Sequence, residues 1–256
     1  MKKQAFSTLY TFFSSLFIIT LLASFGFAKR NQLPVPVTIK TETVDNSIEA
    51  HPKGIKNEIF TLYDSLHLDL MGLPEQTFEY AVKGYNYLVE KGKLADEKII
   101  SIVDLSQPSS RKRLFVVDLN IYKVLFCTYV AHGVNSGAAI ANRFSNKPES
   151  NKSSLGFYET KNTYIGGNGY SLKLEGLEKG INDNAGRRDI VMHGASYVNE
   201  GLIRVQGFIG RSWGCPAVPE KLHKPIIDKI KNGTCLFIYS HDKTYLKRSK
   251  ILKAVA

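Results

Sequence analysis

The sequence predicts a mainly β, α+β protein in which a helical layer precedes the strands. Three observations carry that expectation. Between Ile55 and Val89 the apolar residues recur at helical spacing. After about Lys98 they gather instead into short β-branched runs separated by turn-prone residues. With 256 residues, 43% hydrophobic and 22% charged, the composition is globular, which excludes wholesale disorder and collagen-like repeats and allows one large domain or two small ones.

The chain opens with Lys2 and Lys3, and no charge follows from Gln4 to Ala28. Residues 16–22 form the apolar heart of that stretch, and Gly26 and Ala28 stand at the −3 and −1 positions of a cleavage site before Lys29. This reads as a secretory signal peptide over residues 1–28, with an uncleaved membrane anchor as the alternative. Either way the remainder is expected to be exported, to the periplasm or cell envelope. Residues 29–53 are polar, contain Pro34 and Pro36, lack periodicity and read as a linker.

A helical layer is expected over residues 54–97. Its first helix carries Ile55, Ile59, Leu62, Tyr63 and Leu66. A second, opening at Pro74 and stopped by Gly92, carries Phe78, Ala81, Val82, Tyr85, Leu88 and Val89 on one face. Strands are expected at 99–105, 114–119, 124–130, 170–174 and 235–239, with a brief apolar run at 190–192 ending at His193. Residues 164–170, rich in glycine, read as a flexible loop that covers substrate or as an ordinary turn; they lack the strand-before, helix-after context of a dinucleotide fingerprint. Pro225 is placed at the start of a helix carrying Ile226, Ile227 and Ile230. Residues 98–242 thus form the mainly β domain, and 243–256 a basic, frayed tail.

The net charge of +11, or +9 once the first two lysines are removed with the signal, suits an anionic partner. No zinc-finger spacing, basic helix or aromatic RNA-binding signature is present, so nucleic acid is not expected as a partner, and acidic envelope polymers or a solvated face account better for the charge. Membrane contact is expected only if the N-terminal segment stays uncleaved. The three cysteines, Cys127, Cys215 and Cys235, form no Cys-x-x-Cys pair, so a metal-ribbon or thioredoxin-like reading has no support. Cys127 and Cys235 lie in apolar strand-like runs, as buried small hydrophobes or as a disulfide pair.

Cys215 has different company. It follows Gly214 and precedes Pro216 in the segment Gly210-Arg-Ser-Trp-Gly-Cys-Pro216, while His193-Gly194 ends the apolar run from Ile190. Glycine permits unusual backbone angles that let neighbouring N–H groups converge, and a thiol beside such donors with a histidine in reach is what acyl transfer needs. Taken singly, each has an ordinary structural reading: histidines at strand ends are often structural, and a Gly-Cys pair is often just a turn.

His193-Gly194, followed 22 residues after the histidine by Cys215 within Ser212-x-Gly214-Cys215, resembles the catalytic signature of YkuD-type L,D-transpeptidases. Val130-Ala-His-Gly133, Ser153-Ser-Leu-Gly156, Gly176-Leu-Glu178 and Arg188-Asp-Ile-Val-Met-His-Gly-Ala195 extend the likeness to a murein L,D-transpeptidase subgroup over about residues 98–239. The resemblance implies a YkuD-like mixed β-sandwich that acts without metal or cofactor on peptidoglycan stem peptides. It makes Cys215 the nucleophile and His193 its proton partner, with Gly194 orienting the imidazole through its carbonyl. The N–H groups of Gly214 and Cys215 become the candidate oxyanion donors. Trp213 and Ala217 stand where the common motif has histidine and arginine, a change shared by the subgroup with Gly-Cys-Pro. Arg187, Arg188 or Arg211 then becomes the candidate for the missing carboxylate-binding cation, with surface salt bridging as the alternative. Ser212, Trp213 and His132 complete the candidate substrate-binding residues, although His132 also has a structural reading.

Transfer of the acyl group to an amine makes a 3–3 cross-link or exchanges a D-amino acid, whereas water in that role gives an L,D-carboxypeptidase. A non-catalytic wall-binding protein, with Cys215 incidental, is the third reading. Papain-like enzymes place cysteine before histidine, the reverse of this chain, and caspases, which share its order, put their histidine about 50 residues upstream beside a different local text, so both are disfavoured.

Overall fold

The computed structural model describes residues 52–255; the expected signal segment and nearly all of the linker lie outside the described residues. Helix α1 (Pro52–Ser65) and helix α2 (Glu75–Glu90) form the layer that precedes the strands. Most of the predicted apolar faces are buried: Ile59, Tyr63 and Leu66 at the first helix, and Phe78, Ala81, Val82, Tyr85 and Leu88 on the second; Leu62 and Val89 are half-buried, and the Ile55 side chain lies outside what the structure describes. Tyr63 ties the pair together, its hydroxyl donating to the Leu73 carbonyl at 2.6 Å. Gly84 lets α2 lie directly on the sheet, because a Cβ there would stand 2.0 Å from the ring of Phe157.

Eight strands build one mixed sheet: β1 (Ile99–Asp104), β2 (Leu114–Asp118), β3 (Lys123–Thr128), β4 (Gly156–Gly166), β5 (Gly169–Gly176), β6 (Val191–Ala195), β7 (Ala217–Pro219) and β8 (Cys235–Tyr239). Their spatial order is β3-β2-β1-β8-β4-β5-β6-β7. The β1–β8 and β6–β7 pairs are parallel, and the others antiparallel. Every residue of β1, β2 and β8 is buried, as expected of strands covered on both faces. The sheet curls on itself: just beyond β3, Ala131 bridges to Ala217 and Gly133 to Ser212. That return brings the two edges of the sheet together at the segment containing Cys215.

Four expectations are corrected. Residues 164–170 are not a flexible loop; of the two readings the turn holds, at Gly167-Asn168 in the tip of the β4–β5 hairpin, with Ile165 opposite Tyr170 and Gly166 opposite Gly169. Pro225 does not open its helix; it lies inside α4 (Glu220–Ile230), which follows the short α3 (Glu200–Gln206). Proline in a helix interior gives up one backbone hydrogen bond, and the complete burial of Ile226, Ile227 and Ile230 holds the helix in place. The three cysteines are free thiols. Cys127 on β3 and Cys235 on β8 are separated by β2 and β1, about three strand spacings of ~4.8 Å, too far for a disulfide.

The tail is not frayed either. It forms α5 (Lys243–Arg248) and α6 (Lys250–Ala254), N-capped by Asp242 and Ser249, with Tyr245, Ile251 and Leu252 buried. Glu178, itself buried, pins it: its carboxylate accepts from the Phe157 N–H at 3.0 Å, from the Tyr245 hydroxyl at 3.0 Å and from the Ser249 hydroxyl. Burial raises the Glu178 pKa against the pull of these three donors.

Candidate active site

His193 is the middle residue of β6, in register with Ser171 on β5 and Ala217 on β7. Cys215 lies two residues before Ala217, so the parallel β6–β7 pairing carries thiol and imidazole into one cavity of about 700 Å³. Both side chains are nearly buried, at 9% and 4% exposure.

The imidazole is held in one orientation. Nδ1–H donates to the Gly194 carbonyl at 2.9 Å, which leaves the Nε2 lone pair as the basic position of the neutral ring. Burial lowers the His193 pKa below its ordinary 6.5, the Gly194 carbonyl opposes that shift, and nearby His223 adds to it. The ring is therefore neutral at pH 7. Gly194 itself is sterically required, since a Cβ would stand 2.7 Å from Cγ of His223.

The thiol is protonated at rest. Burial raises the Cys215 pKa above 9.0, while the Val191 backbone and the Arg188 charge pull it down. Its proton points to the carbonyl of Asp189, with Sγ 3.6 Å from that oxygen. No hydrogen bond joins Sγ to His193 among the described residues, so the resting site holds a thiol and a neutral imidazole rather than an ion pair.

Ser212 builds the turn that presents the thiol. Its hydroxyl accepts from the Gly214 N–H at 3.1 Å and donates to the Cys215 carbonyl at 2.6 Å. Gly214 has φ +126°, and a Cβ would stand 2.9 Å from the Lys152 carbonyl oxygen and 3.0 Å from Cδ1 of Ile190. The Gly214 N–H, expected as an oxyanion donor, is thus already occupied by Ser212. The Cys215 N–H has no hydrogen-bond partner among the described residues.

The predicted cations separate. Arg188 reaches the cavity wall, but Nη1 donates to the Ser145 carbonyl at 2.8 Å and the Ser154 hydroxyl at 3.0 Å, and Nη2 to the Lys152 carbonyl and the Ser150 hydroxyl. Both terminal nitrogens thus already have protein partners, whereas Nε is buried without one among the described residues. Arg187 is exposed, lines the same cavity and has no hydrogen-bond partner among the described residues. Arg211 is also exposed to the cavity, with one long contact of 3.3 Å from Nη1 to the Gly137 carbonyl and its guanidinium 5.7 Å from the Phe208 ring centre. Trp213 stands at the rim, 81% exposed.

His132, expected among the substrate-binding residues, is fully buried and does not line the cavity. It accepts from Arg113 at 2.8 Å and contacts the Gly137 carbonyl at 3.2 Å, and burial beside that cation pushes its pKa down to about 4. Glu149, Asn151, Asp189 and Tyr197, which the sequence did not single out, complete the wall, together with Asn168 of the glycine-rich segment 164–170. Glu149, Asn151 and Asp189 have φ of 57°, 51° and 51°, a left-handed conformation that asparagine and aspartate favour among non-glycine residues and glutamate does not. Tyr197, four residues after His193, carries a hydroxyl pushed up to about 12 by burial and by the neighbouring Cys215. Among the described residues no group of three or more His, Cys, Asp or Glu could hold a metal ion.

A family model described as L,D-transpeptidase catalytic domain matches residues 70–239. No curated protein matches the chain. Among solved structures, an L,D-transpeptidase from Mycobacterium smegmatis is 12% identical, with a TM-score of 0.34 over 56% of this chain and 59% of that one. The helical cell shape determining protein Pgp2 from Campylobacter jejuni is 14% identical, with a TM-score of 0.36 over 57% of this chain and 48% of that one. An L,D-transpeptidase from Xylanimonas cellulosilytica is 13% identical, with a TM-score of 0.31 over 71% of this chain and 93% of that one. The chain thus spans about 59% of the length of the mycobacterial relative.

Proposed function

The chain belongs to the YkuD-type L,D-transpeptidase catalytic domain family, and from that premise we propose that it is an exported, cysteine-dependent acyltransferase acting on peptidoglycan tetrapeptide stems in the cell envelope. The observation that carries the reading is the joint placement of the Cys215 thiol and the His193 imidazole in one cavity beside unpaired Arg187. Cys215 and His193 are the catalytic pair, and Gly194 is the residue that orients the imidazole.

Substrate entering the cavity turns the thiol from the Asp189 carbonyl toward Nε2 of His193, which takes its proton. The thiolate attacks the carbonyl between the L-centre of the diamino acid and the terminal D-Ala. The Cys215 N–H meets the developing oxyanion, where one such donor is worth about 10²–10³ in rate. The C–N bond breaks, the imidazolium returns its proton to the departing amine, and a thioester remains. An amine of a second stem attacks that thioester and gives its proton to His193, which restores the thiol and leaves a 3–3 cross-link; a free D-amino acid in the same role gives exchange. The lowered basicity of His193 suits the second half of each proton transfer, because a weakly basic ring releases its proton readily.

Arg187 and Arg211 are positioned to bind stem-peptide carboxylates, with Ser212 holding the turn and Trp213 offering an aromatic edge to the saccharide or peptide. The test is incubation of the purified protein with tetrapeptide muropeptides, read by mass spectrometry. Dimers lacking one D-Ala are expected from the wild type, and none from Cys215→Ala or His193→Ala. Tripeptide monomers alone make it an L,D-carboxypeptidase. Equal losses from Cys127→Ala and Cys215→Ala would refute the nucleophile.

A further inference from the structure

Arg113 is the largest fully buried side chain among the described residues; no carboxylate there forms a salt bridge with it, and buried Asp104 acts on it only through space. Its guanidinium donates through Nε and Nη2 to the Val130 carbonyl at 3.1 and 2.9 Å, through Nη1 to the Gln107 carbonyl at 2.7 Å, and through Nη2 to Nδ1 of His132 at 2.8 Å. Arginine has no acceptor to offer, so His132 must present a lone pair at Nδ1 and its proton at Nε2, which meets the Gly137 carbonyl at 3.2 Å. Stability alone does not explain a desolvated cation in such a place, because well-packed apolar side chains commonly do as well or better. What a rigid fork of donors supplies is geometry.

That geometry leads to the nucleophile. The His132 carbonyl accepts from the Ser212 N–H at 3.0 Å, and the Ser212 carbonyl accepts from the Val134 N–H at 2.7 Å. On the far side of Cys215, the Ala217 carbonyl accepts from the Ala131 N–H at 2.7 Å. Between these anchors the Ser153 hydroxyl accepts from the Gly133 N–H at 3.0 Å and reaches the Gly214 carbonyl at 3.4 Å. The segment Ala131–Val134 therefore grips the Cys215 turn before and after the thiol, and Arg113 and His132 fix the segment from inside the core.

We propose that Arg113 and His132 form a buried latch that positions the Cys215 turn for attack, so that both are positioning residues of the transfer reaction. The inference rests on the function proposed above. It gives the second His-Gly pair, His132-Gly133, a task distinct from that of His193-Gly194, on a side chain that never meets substrate.

The test uses the full chain and D-Ala release from tetrapeptide muropeptides. His132→Leu removes both ring contacts and keeps the bulk. It should lower kcat by about 10–100-fold, the penalty expected of a nucleophile misplaced by up to an ångström, with KM within about 3-fold of wild type. His132→Gln, whose amide offers one acceptor and one donor, should recover most of kcat. His132→Asn, too short to span both contacts, should not, and the Asn–Gln comparison decides the matter if the leucine variant fails to fold. Wild-type kcat in His132→Leu, or equal impairment in the Gln and Asn variants, overturns the latch. Absence of Cys215-dependent release in the wild type refutes the proposed function instead.

Discussion

Gly214→Ala is the sharpest test of how the nucleophile is presented. At φ +126° a side chain is strained by about 1–3 kcal/mol. The new Cβ would also stand 2.9 Å from the Lys152 carbonyl oxygen, 3.0 Å from Cδ1 of Ile190 and 3.3 Å from Nη2 of Arg188. The nearest of these atoms belongs to the backbone and already accepts from Arg188, so it cannot withdraw without breaking that bond. Overpacking of this kind costs about a further 1–3 kcal/mol, which makes the total about 2–6 kcal/mol. At roughly 2–4 °C per kcal/mol for a domain of this size, the melting temperature should fall by at least about 4 °C. Gly207→Ala supplies the control, because Gly207 has φ +84° with nothing within 4 Å of its would-be Cβ. It should show the conformational strain alone, about 1–2 kcal/mol, with turnover unchanged. In Gly214→Ala, relief of the clash must move the backbone beside Cys215, and a displacement near 1 Å lowers turnover by about 10²-fold. Differential scanning calorimetry and D-Ala release measure the two effects. A Gly214→Ala protein that melts within about 2 °C of wild type and turns over normally would refute the assignment of this turn.

Burial keeps His193 neutral down to a pH below 6.5, so the acid limb of kcat/KM should have its midpoint below that value; a midpoint above it would show that the imidazole is not the base. Because burial holds the resting Cys215 as a thiol, its alkylation by iodoacetamide should be slow at pH 7 and still rising above pH 9, whereas a plateau at neutral pH would reveal a resting thiolate. Glu178→Ala strands three buried donors at about 1–3 kcal/mol each; it should cost about 3 kcal/mol or more and speed amide hydrogen exchange across residues 243–255, and unchanged exchange there would contradict the pinning of the tail. Arg187→Ala should raise KM by about 10-fold or more, as loss of a charge-assisted contact implies, with little change in melting temperature, while Arg188→Ala should lower the melting temperature through its lost wall contacts.

The pairs that local sequence could not separate show what the chain text carries. His132-Gly133 and His193-Gly194 are the same dipeptide following an apolar run. One ring lies on Arg113 in the core and the other opens on a cavity; the difference resides in Arg113, 19 residues from His132, and in the parallel β6–β7 pairing. Arg187 and Arg188 are neighbours with identical side chains, and the short turn Gly186–Arg188, ended by Asp189 in a left-handed conformation, sends one to the wall and leaves the other free. The tail offers five cations and no acid from residue 243 onward, a composition that looks solvated until Glu178, 67 residues before Tyr245, is placed beneath it. Cys215 and His193 stand out in the sequence only as a pair: the immediate neighbours of each also fit an ordinary strand end or turn, and it is their spacing of 22 residues within the wider motif text that marks them as candidates. Meeting in space is a different matter. It depends on β7, a strand of three residues, and on the return of Ala131–Gly133 to that same edge. Neither leaves a periodic pattern, since three residues are too few to show one and an isolated bridge demands no side-chain alternation. The candidate reactive groups can therefore be named from the sequence, while the residues that hold the turn beside them, Arg113 above all, emerge only once the edges of the sheet are joined.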